Sequence, residues 1–316
     1  MNMQQSRPPE ATPVAARRPS ERPFEPLDYG LYALTVIAWS LSWYAIEFQV
    51  GTVANEVNIT WRFGIATLLM FGWVVVKRGR LRFTVDDHWR FMALGILMFS
   101  SNFLLFYYGA GYLVSGLLSV VFSLASVFNM LLGAVVMREK PSPRILLGGL
   151  TGFCGIALMF LPEIIGHDLG GGTLVGLAFC VAGTLSFCVG NVISAAGMRK
   201  GLSLVSMNAW GMFYGTLWSA ILAFVMGRTF TVEPTVAYFG SLLFLAVVST
   251  ILGFAAYLTL LGRIGAARAG YATVMFPIFA LLVSTVLEGY QWTAFAIVGL
   301  ALVAFGNVLV VRGGRR

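Results

Sequence analysis

Residues 137–160 read MREKPSPRILLGGLTGFCGIALMF, and this stretch decides the fold. A long apolar run ends at Met137. A basic turn with two prolines follows, Arg138 to Arg144, and a second apolar, glycine-rich run then begins. Two apolar runs joined by a short charged turn read as a helical hairpin in a membrane, because helices satisfy their own backbone N–H and C=O groups in hydrocarbon. The chain carries the pattern twice. Residues 287–311 read LEGYQWTAFAIVGLALVAFGNVLVV. In the first copy Gly148 follows Glu139 by nine residues and Gly155 lies seven further on; in the second, Gly299 follows Glu288 by eleven and Gly306 lies seven further on. Tyr108 precedes Glu139 by 31 residues, and Tyr257 precedes Glu288 by 31. The first turn contains Arg138, Lys140 and Arg144, whereas the second contains no basic residue.

Composition agrees with a membrane protein. The chain is 58% hydrophobic and 11% charged, with a mean hydropathy of +0.83. Long uncharged runs in such a chain mean transmembrane helices of about 20 residues each. Cys154, Cys180 and Cys188 fall inside apolar runs at spacings that match no metal site or disulfide framework. His88 and His167 both lie between apolar runs.

Residues 1–28, with six of the eleven prolines, read as a disordered cytoplasmic tail and not as a signal peptide. Ten apolar helices then fit the chain, at about 29–48, 57–76, 91–111, 115–137, 145–162, 173–198, 203–227, 236–261, 268–287 and 292–311. With both termini in the cytoplasm, the inward segments hold 19 of the 21 basic residues. Of the other two, Arg228 falls in an outward loop and Arg62 inside helix 2. An odd helix count would scramble this asymmetry. The net charge of +8 then belongs to an inner face apposed to anionic lipid and calls for no nucleic acid.

The repeat extends over both halves. Residues 38–43, AWSLSW, answer 182–187, AGTLSF; residues 60–63, TWRF, answer 209–212, AWGM. Residues 29–162 and 163–311 thus form two five-helix units, followed by a basic C-terminus at 312–316. Five is odd, so the second unit enters the membrane upside down. The basic turn faces in and its uncharged partner faces out. Inverted repeats of this kind recur in secondary transporters, with the substrate site at the repeat interface near the midplane.

On Trp39-Ser40, Trp61-Arg62-Phe63, and Glu139 and Glu288 before the glycine-rich last helix of each half, the sequence resembles the drug/metabolite transporter superfamily, in particular its ten-helix EamA-type members. The resemblance covers residues 29–311. It implies an all-α membrane protein of two inverted five-helix repeats around a central cavity, lined mainly by helices 1, 3, 4, 6, 8 and 9. It implies export of amino acids or related metabolites, without a cofactor. Many relatives carry proline in the middle of both helix 4 and helix 9. Here helix 9 has Pro277, but helix 4 reads Ser123-Leu124-Ala125-Ser126, so the two halves are expected to bend unequally.

Glu47 and Arg62 are the ionisable residues within helices away from the inner face. An ionisable group in hydrocarbon costs at least about 2.5 kcal/mol unless it is paired or wet, which makes it a functional candidate. The alternative is an interfacial residue that reaches up to water. Trp39, Trp43 and Glu47 recur every four residues and share one helical face. Two aromatic surfaces and a carboxylate suit an amphiphilic or aminated substrate, through apolar contact and cation–π attraction. Arg62 is expected to approach Glu47, since opposite desolvated charges are cheaper together than apart. Asn102 and Asn191 lie at mid-depth, with Asn129, Ser249 and Thr250. Such groups line a water-filled path or join helix to helix at about 0.6 kcal/mol each. Tyr108 and Tyr257 complete the substrate-binding set because both halves carry them at one offset. Glu139 and Glu288 are expected to cap or pin their hairpin turns.

Three function classes compete. A secondary transporter exporting small metabolites fits best, with a multidrug or organic-cation efflux carrier as the variant reading. A membrane enzyme would need a His, Asp or Cys cluster at one face. A channel would be expected to show rings of like charge or a filter loop. The residues 170–172, Gly-Gly-Gly, have no Lys-Ser/Thr after them and make no phosphate loop. No catalytic or metal-binding residue is assigned, and the oligomeric state is left open.

Overall fold

The computed structural model describes residues 24–137, 143–162, 172–264 and 272–313. Among them every regular element is a helix. In chain order these are α1 (Pro26–Glu47), α2 (Asn55–Val76), α3 (Val85–Ala110), α4 (Ser115–Phe122 continuing as Ala125–Met137), α5 (Pro143–Met159), α6 (Gly172–Arg199), α7 (Leu204–Val225), α8 (Val236–Leu243, Phe244–Leu252 and Gly253–Ile264), α9 (Ala272–Leu287) and α10 (Ala294–Gly313). By length and apolarity, α1, α2, α3, α6 and residues Val236–Tyr257 of α8 are each able to cross a membrane. The turn containing Glu139, the loop containing His167, and residues 1–23 lie outside the described residues.

Local chemistry moves two helix starts from where hydropathy places them. α1 begins at Pro26, inside the stretch assigned to the tail, because proline at the first helical position needs no partner for an N–H and has its φ preset. Glu25 and Asp28 close a capping box around that start. α3 begins at Val85 rather than near 91. Asp87 N donates to Thr84 Oγ1 at 3.3 Å and Thr84 N donates to Asp87 Oδ2 at 3.2 Å, so the polar turn VDDHWR is helical. Hydropathy cannot see a capped polar turn.

α4 and α9 differ where their sequences differ. α9 runs through Pro277 as one helix. The proline-free α4 is interrupted at Ser123-Leu124. There the backbone tightens to a three-residue repeat: Leu124 N donates to Val121 O and Ser126 N to Ser123 O. Ser119, Ser123 and Ser126 each turn the hydroxyl back onto a carbonyl three residues earlier, at 2.6, 2.6 and 3.1 Å. Serines that bond backward compete with the helix ladder and bend it.

Two wide, π-helical stretches lie within α3 (Gly95–Ser101) and α8 (Phe244–Leu252). Such turns free backbone groups and re-aim side chains. Elsewhere small residues let helices touch. A Cβ on Gly155 would sit 2.6 Å from Gly299 O, one on Gly299 would sit 2.6 Å from Gly155 O, and one on Gly306 would sit 2.5 Å from Gly148 O. α5 and α10 therefore cross backbone to backbone, as small residues permit in a membrane. The outer surface is apolar, with Leu68, Val76, Phe224, Val236 and Val286 among its exposed side chains. Polar groups such as Ser100, Ser119, Thr184 and Ser219 are buried. This is the reverse of a water-soluble surface and is what a lipid solvent requires.

Candidate functional site

The α1 stripe is a meeting point of helices from both halves. Trp39 Nε1 donates to Ser249 O in the wide stretch of α8 at 3.3 Å. Its ring lies 5.2 Å from Tyr257, 5.6 Å from Phe254 and 6.4 Å from Phe276, so it faces α8 and α9. One turn on, Trp43 is 8% exposed and faces the other way round the axis, 5.0 Å from Phe106 of α3 and 5.5 Å from Phe122 of α4. Phe122 and Phe276, 6.1 Å apart, close the column between them. Edge-to-face and tilted pairs of this kind are each worth about 0.5–1.5 kcal/mol beyond area burial. Ser40 donates to Phe276 O at 3.1 Å and ties α1 to α9 beside Pro277.

Glu47 ends the stripe. Its Oε1 is enclosed and carries no hydrogen bond. Glu288 is near enough for the two carboxylates to act on each other electrostatically. Glu288 itself is engaged across the chain as well as with Ser284 of its own hairpin. It accepts from Ser115 N at 3.1 Å and from Ser115 Oγ at 2.5 Å, and Ser284 also donates to it. The cap therefore belongs to the start of α4. Two acids thus lie at one end of the bundle, one fully bonded and one with an open oxygen.

Arg62 does not pair with Glu47. It is 2% exposed, its Cζ lies 4.4 Å from the Phe103 ring and 5.3 Å from that of Phe63, and Nη2 donates to Thr250 Oγ1 at 3.4 Å. Nε and Nη1 have no hydrogen-bond partner. The expectation weighed charge attraction alone; the aromatic rings of α2 and α3 and the hydroxyl of Thr250 hold the guanidinium instead. Ser249 and Thr250 are neighbours, so one turn of α8 holds both Trp39 and Arg62.

The chain matches the model of the EamA-like transporter family twice, over residues 29–161 and 174–312. It belongs to the EamA-like transporter family. It is 25% identical over 280 residues to an "Uncharacterized transporter" of Archaeoglobus fulgidus, covering 89% of this chain and 97% of that one. It is 27% identical over 210 residues to a "Probable amino-acid metabolite efflux pump" of Salmonella typhimurium, covering 64% and 69%. The Escherichia coli protein of that same name is 21% identical, covering 90% of this chain and 95% of its own. A solved crystal structure superposes with a TM-score of 0.64 at 16% identity, covering 92% of this chain and 98% of that one, which speaks for the fold alone.

The transporter's remaining sequence-expected site residues are spread more widely. Tyr257 joins the Trp39 cluster. Tyr108 turns away from it: its hydroxyl donates to Glu56, whose other oxygen lies 3.8 Å from Arg228 Nε, and its ring lies 5.5 Å from Phe179. Equal offset in the two halves does not bring the two tyrosines to equivalent contacts. Asn191 Nδ2 donates to Asn129 Oδ1 at 3.2 Å and links α6 to α4. Asn102 is 2% exposed; its amide donates to Met98 O at 3.3 Å, while Oδ1 has no partner.

Two features escaped the sequence. Gln49 is buried and donates to Tyr238 O at 2.9 Å and Ser241 Oγ at 2.6 Å, while Tyr238 donates to Asn58 Oδ1 at 2.7 Å. This neutral network joins α1, α2 and α8, and a search for charges passes over it. Tyr107, fully buried, lies beside the Arg62 guanidinium and interacts with it. The helical signal for it was available, since Tyr107 lies four residues after Phe103 and shares its face.

Proposed function

We propose that this chain is a secondary transporter that exports amino acids or related small metabolites across the cytoplasmic membrane by alternating access. In this reading it crosses the bilayer ten times as two inverted five-helix repeats, with both termini in the cytoplasm. Trp39, Trp43, Glu47 and Tyr257 bind the apolar and aminated parts of the substrate, with Asn102, Asn191 and Tyr108 along the path.

The observation that carries the reading is a pair of ionisable side chains with enclosed, unbonded polar atoms that form no ion pair with each other or with any other described residue, Glu47 and Arg62. A purely structural bundle in lipid gains nothing from keeping such groups open; a carrier can reserve them for a substrate or a proton. The inverted repeat has independent support. Exchanging each helix for the one five later returns the largest helix pairs: α1 with α8 becomes α6 with α3, and α2 with α7 and α5 with α10 map onto themselves. The contacts Gly155–Gly299 and Gly148–Gly306 interchange under the same operation. The wide stretches of α3 and α8 correspond as well. The relatives named as efflux pumps for amino-acid metabolites supply the substrate class.

The test is counterflow in proteoliposomes of the purified full-length chain, preloaded with each of a panel of unlabelled amino acids and exposed to the labelled form. Accumulation of label for at least one amino acid is expected. Counterflow of none of them, by protein that remains folded, would overturn the amino-acid reading.

A further inference from the structure

Resting on that reading, we infer that Arg62, Tyr107 and Thr250 form an anion subsite that takes the carboxylate of the transported molecule, which restricts the cargo to carboxylates and excludes the corresponding amines. The three side chains come from α2, α3 and α8. Arg62 is 2% exposed, Tyr107 is 0% exposed and Thr250 is 2% exposed. What they offer is one-sided. Arg62 Nε and Nη1 are buried donors that meet no acceptor at hydrogen-bond geometry, and the Tyr107 hydroxyl lies against the guanidinium, which leaves its own proton to donate. The Thr250 hydroxyl spends its proton on Leu245 O, at 2.8 Å, and so can only accept from Arg62. Among the described residues no carboxylate forms an ion pair with Arg62.

A buried site made of donors and one fixed positive charge has a defined complement: a small anion whose oxygens accept from both groups. The guanidinium suits a carboxylate especially, since its planar N–H array matches two oxygens. The rings of Phe103 and Phe63 flank the cation and steady it without neutralising it. An ammonium group placed here would meet the like charge of Arg62, which is how a site rejects the wrong ligand. The position also suits a carrier. Thr250 lies in the π-helical stretch of α8, whose next residue back, Ser249, holds Trp39. A carboxylate on Arg62 would therefore leave the rest of the molecule in reach of the aromatic column.

The experiment compares labelled phenylalanine and leucine with their decarboxylated amines, phenethylamine and isoamylamine, in two assays on the full-length protein. One is the thermal melt of the protein in nanodiscs with each compound; the other is counterflow. The expected result is stabilisation and counterflow by the amino acids and neither by the amines. Tyr107→Phe removes one hydroxyl and keeps the ring, so it is expected to fold and to raise KM for the amino acids about tenfold, the worth of one hydrogen bond to a charged group. Arg62→Lys is expected to raise it further. Amines that stabilise and exchange as well as the amino acids, or a wild-type KM in Tyr107→Phe, would overturn the anion subsite while leaving export intact. Stabilisation by the amino acids, lost in Tyr107→Phe, without any counterflow would retain the subsite and overturn export.

Discussion

Glu288, just past the end of α9, holds the backbone N–H of Ser115 at 3.1 Å, and Ser115 begins a helix that lies more than 170 positions earlier in the chain. A carboxylate at a helix N-terminus meets unsatisfied N–H groups and the positive end of the dipole. Here Ser284 joins in, donating to Glu288 and accepting from Gly116 N at 2.7 Å. Glu288→Gln keeps the shape and removes the charge. It is expected to cost about 1–3 kcal/mol, the difference between charged and neutral hydrogen bonds at a partly buried cap. The readout is the thermal midpoint in nanodiscs, and an unchanged midpoint would contradict the cap.

The α5–α10 crossing makes a prediction of opposite sign at two glycines. Gly155→Ala forces a Cβ against the Gly299 carbonyl at 2.6 Å, where backbone cannot yield cheaply. A loss of about 1–3 kcal/mol is expected. Gly72→Ala in α2 meets nothing within 4 Å and should be neutral or stabilising by up to about 1 kcal/mol. Equal melting temperatures for the two variants would remove the close crossing.

Glu47 separates two modes of transport. If its open oxygen binds the substrate amine, Glu47→Gln should cut counterflow while folded protein persists in the membrane. If it carries a proton, Glu47→Gln should preserve exchange and abolish the response to an imposed pH gradient. Wild-type behaviour of both Glu47→Gln and Trp43→Ala in both assays would remove the α1 stripe from the mechanism and leave it as an interfacial anchor.

Reporter fusions decide the orientation. Fusions after Arg82, Arg144 and Lys200 are expected to report cytoplasm, and those near Gly51 and Gly289 the outside, from the distribution of basic residues. An outside signal at Arg144 would contradict the inverted arrangement.

How much the sequence disclosed depended on the kind of interaction. The helical class follows from composition and the 3.6-residue period, which local sequence carries in full; that Trp39 turns to α8 and α9 while Trp43 turns to α3 and α4 does not. The start of α3 required reading Thr84 and Asp87 as a cap instead of as polar residues ending an apolar window. The place of Arg62 is not legible from charge attraction alone, because the Phe103 ring comes from another helix and periodicity does not say where the neighbouring Phe63 ring points. Tyr107 and Tyr108 are adjacent, and only the packing of α3 against α2 decides which of them reaches the guanidinium. Glu288 was read as local because its partner at Ser115 becomes a neighbour only when the halves assemble.

The interruption of α4 and the proline of α9 differ in what each can undo. Pro277 has no N–H, so the ladder of α9 lacks that rung in every conformation of the chain. Around Ser123 and Leu124 all the backbone groups are present, and the local shape depends on where hydroxyls point. Those hydroxyls sit on single bonds, so the interruption of α4 is not built into its backbone as a proline would build it. One half of the molecule thus carries a permanent gap in its ladder inside an unbroken helix, and the other an interruption made by hydroxyls alone, so the two halves differ in what a single side-chain change could restore.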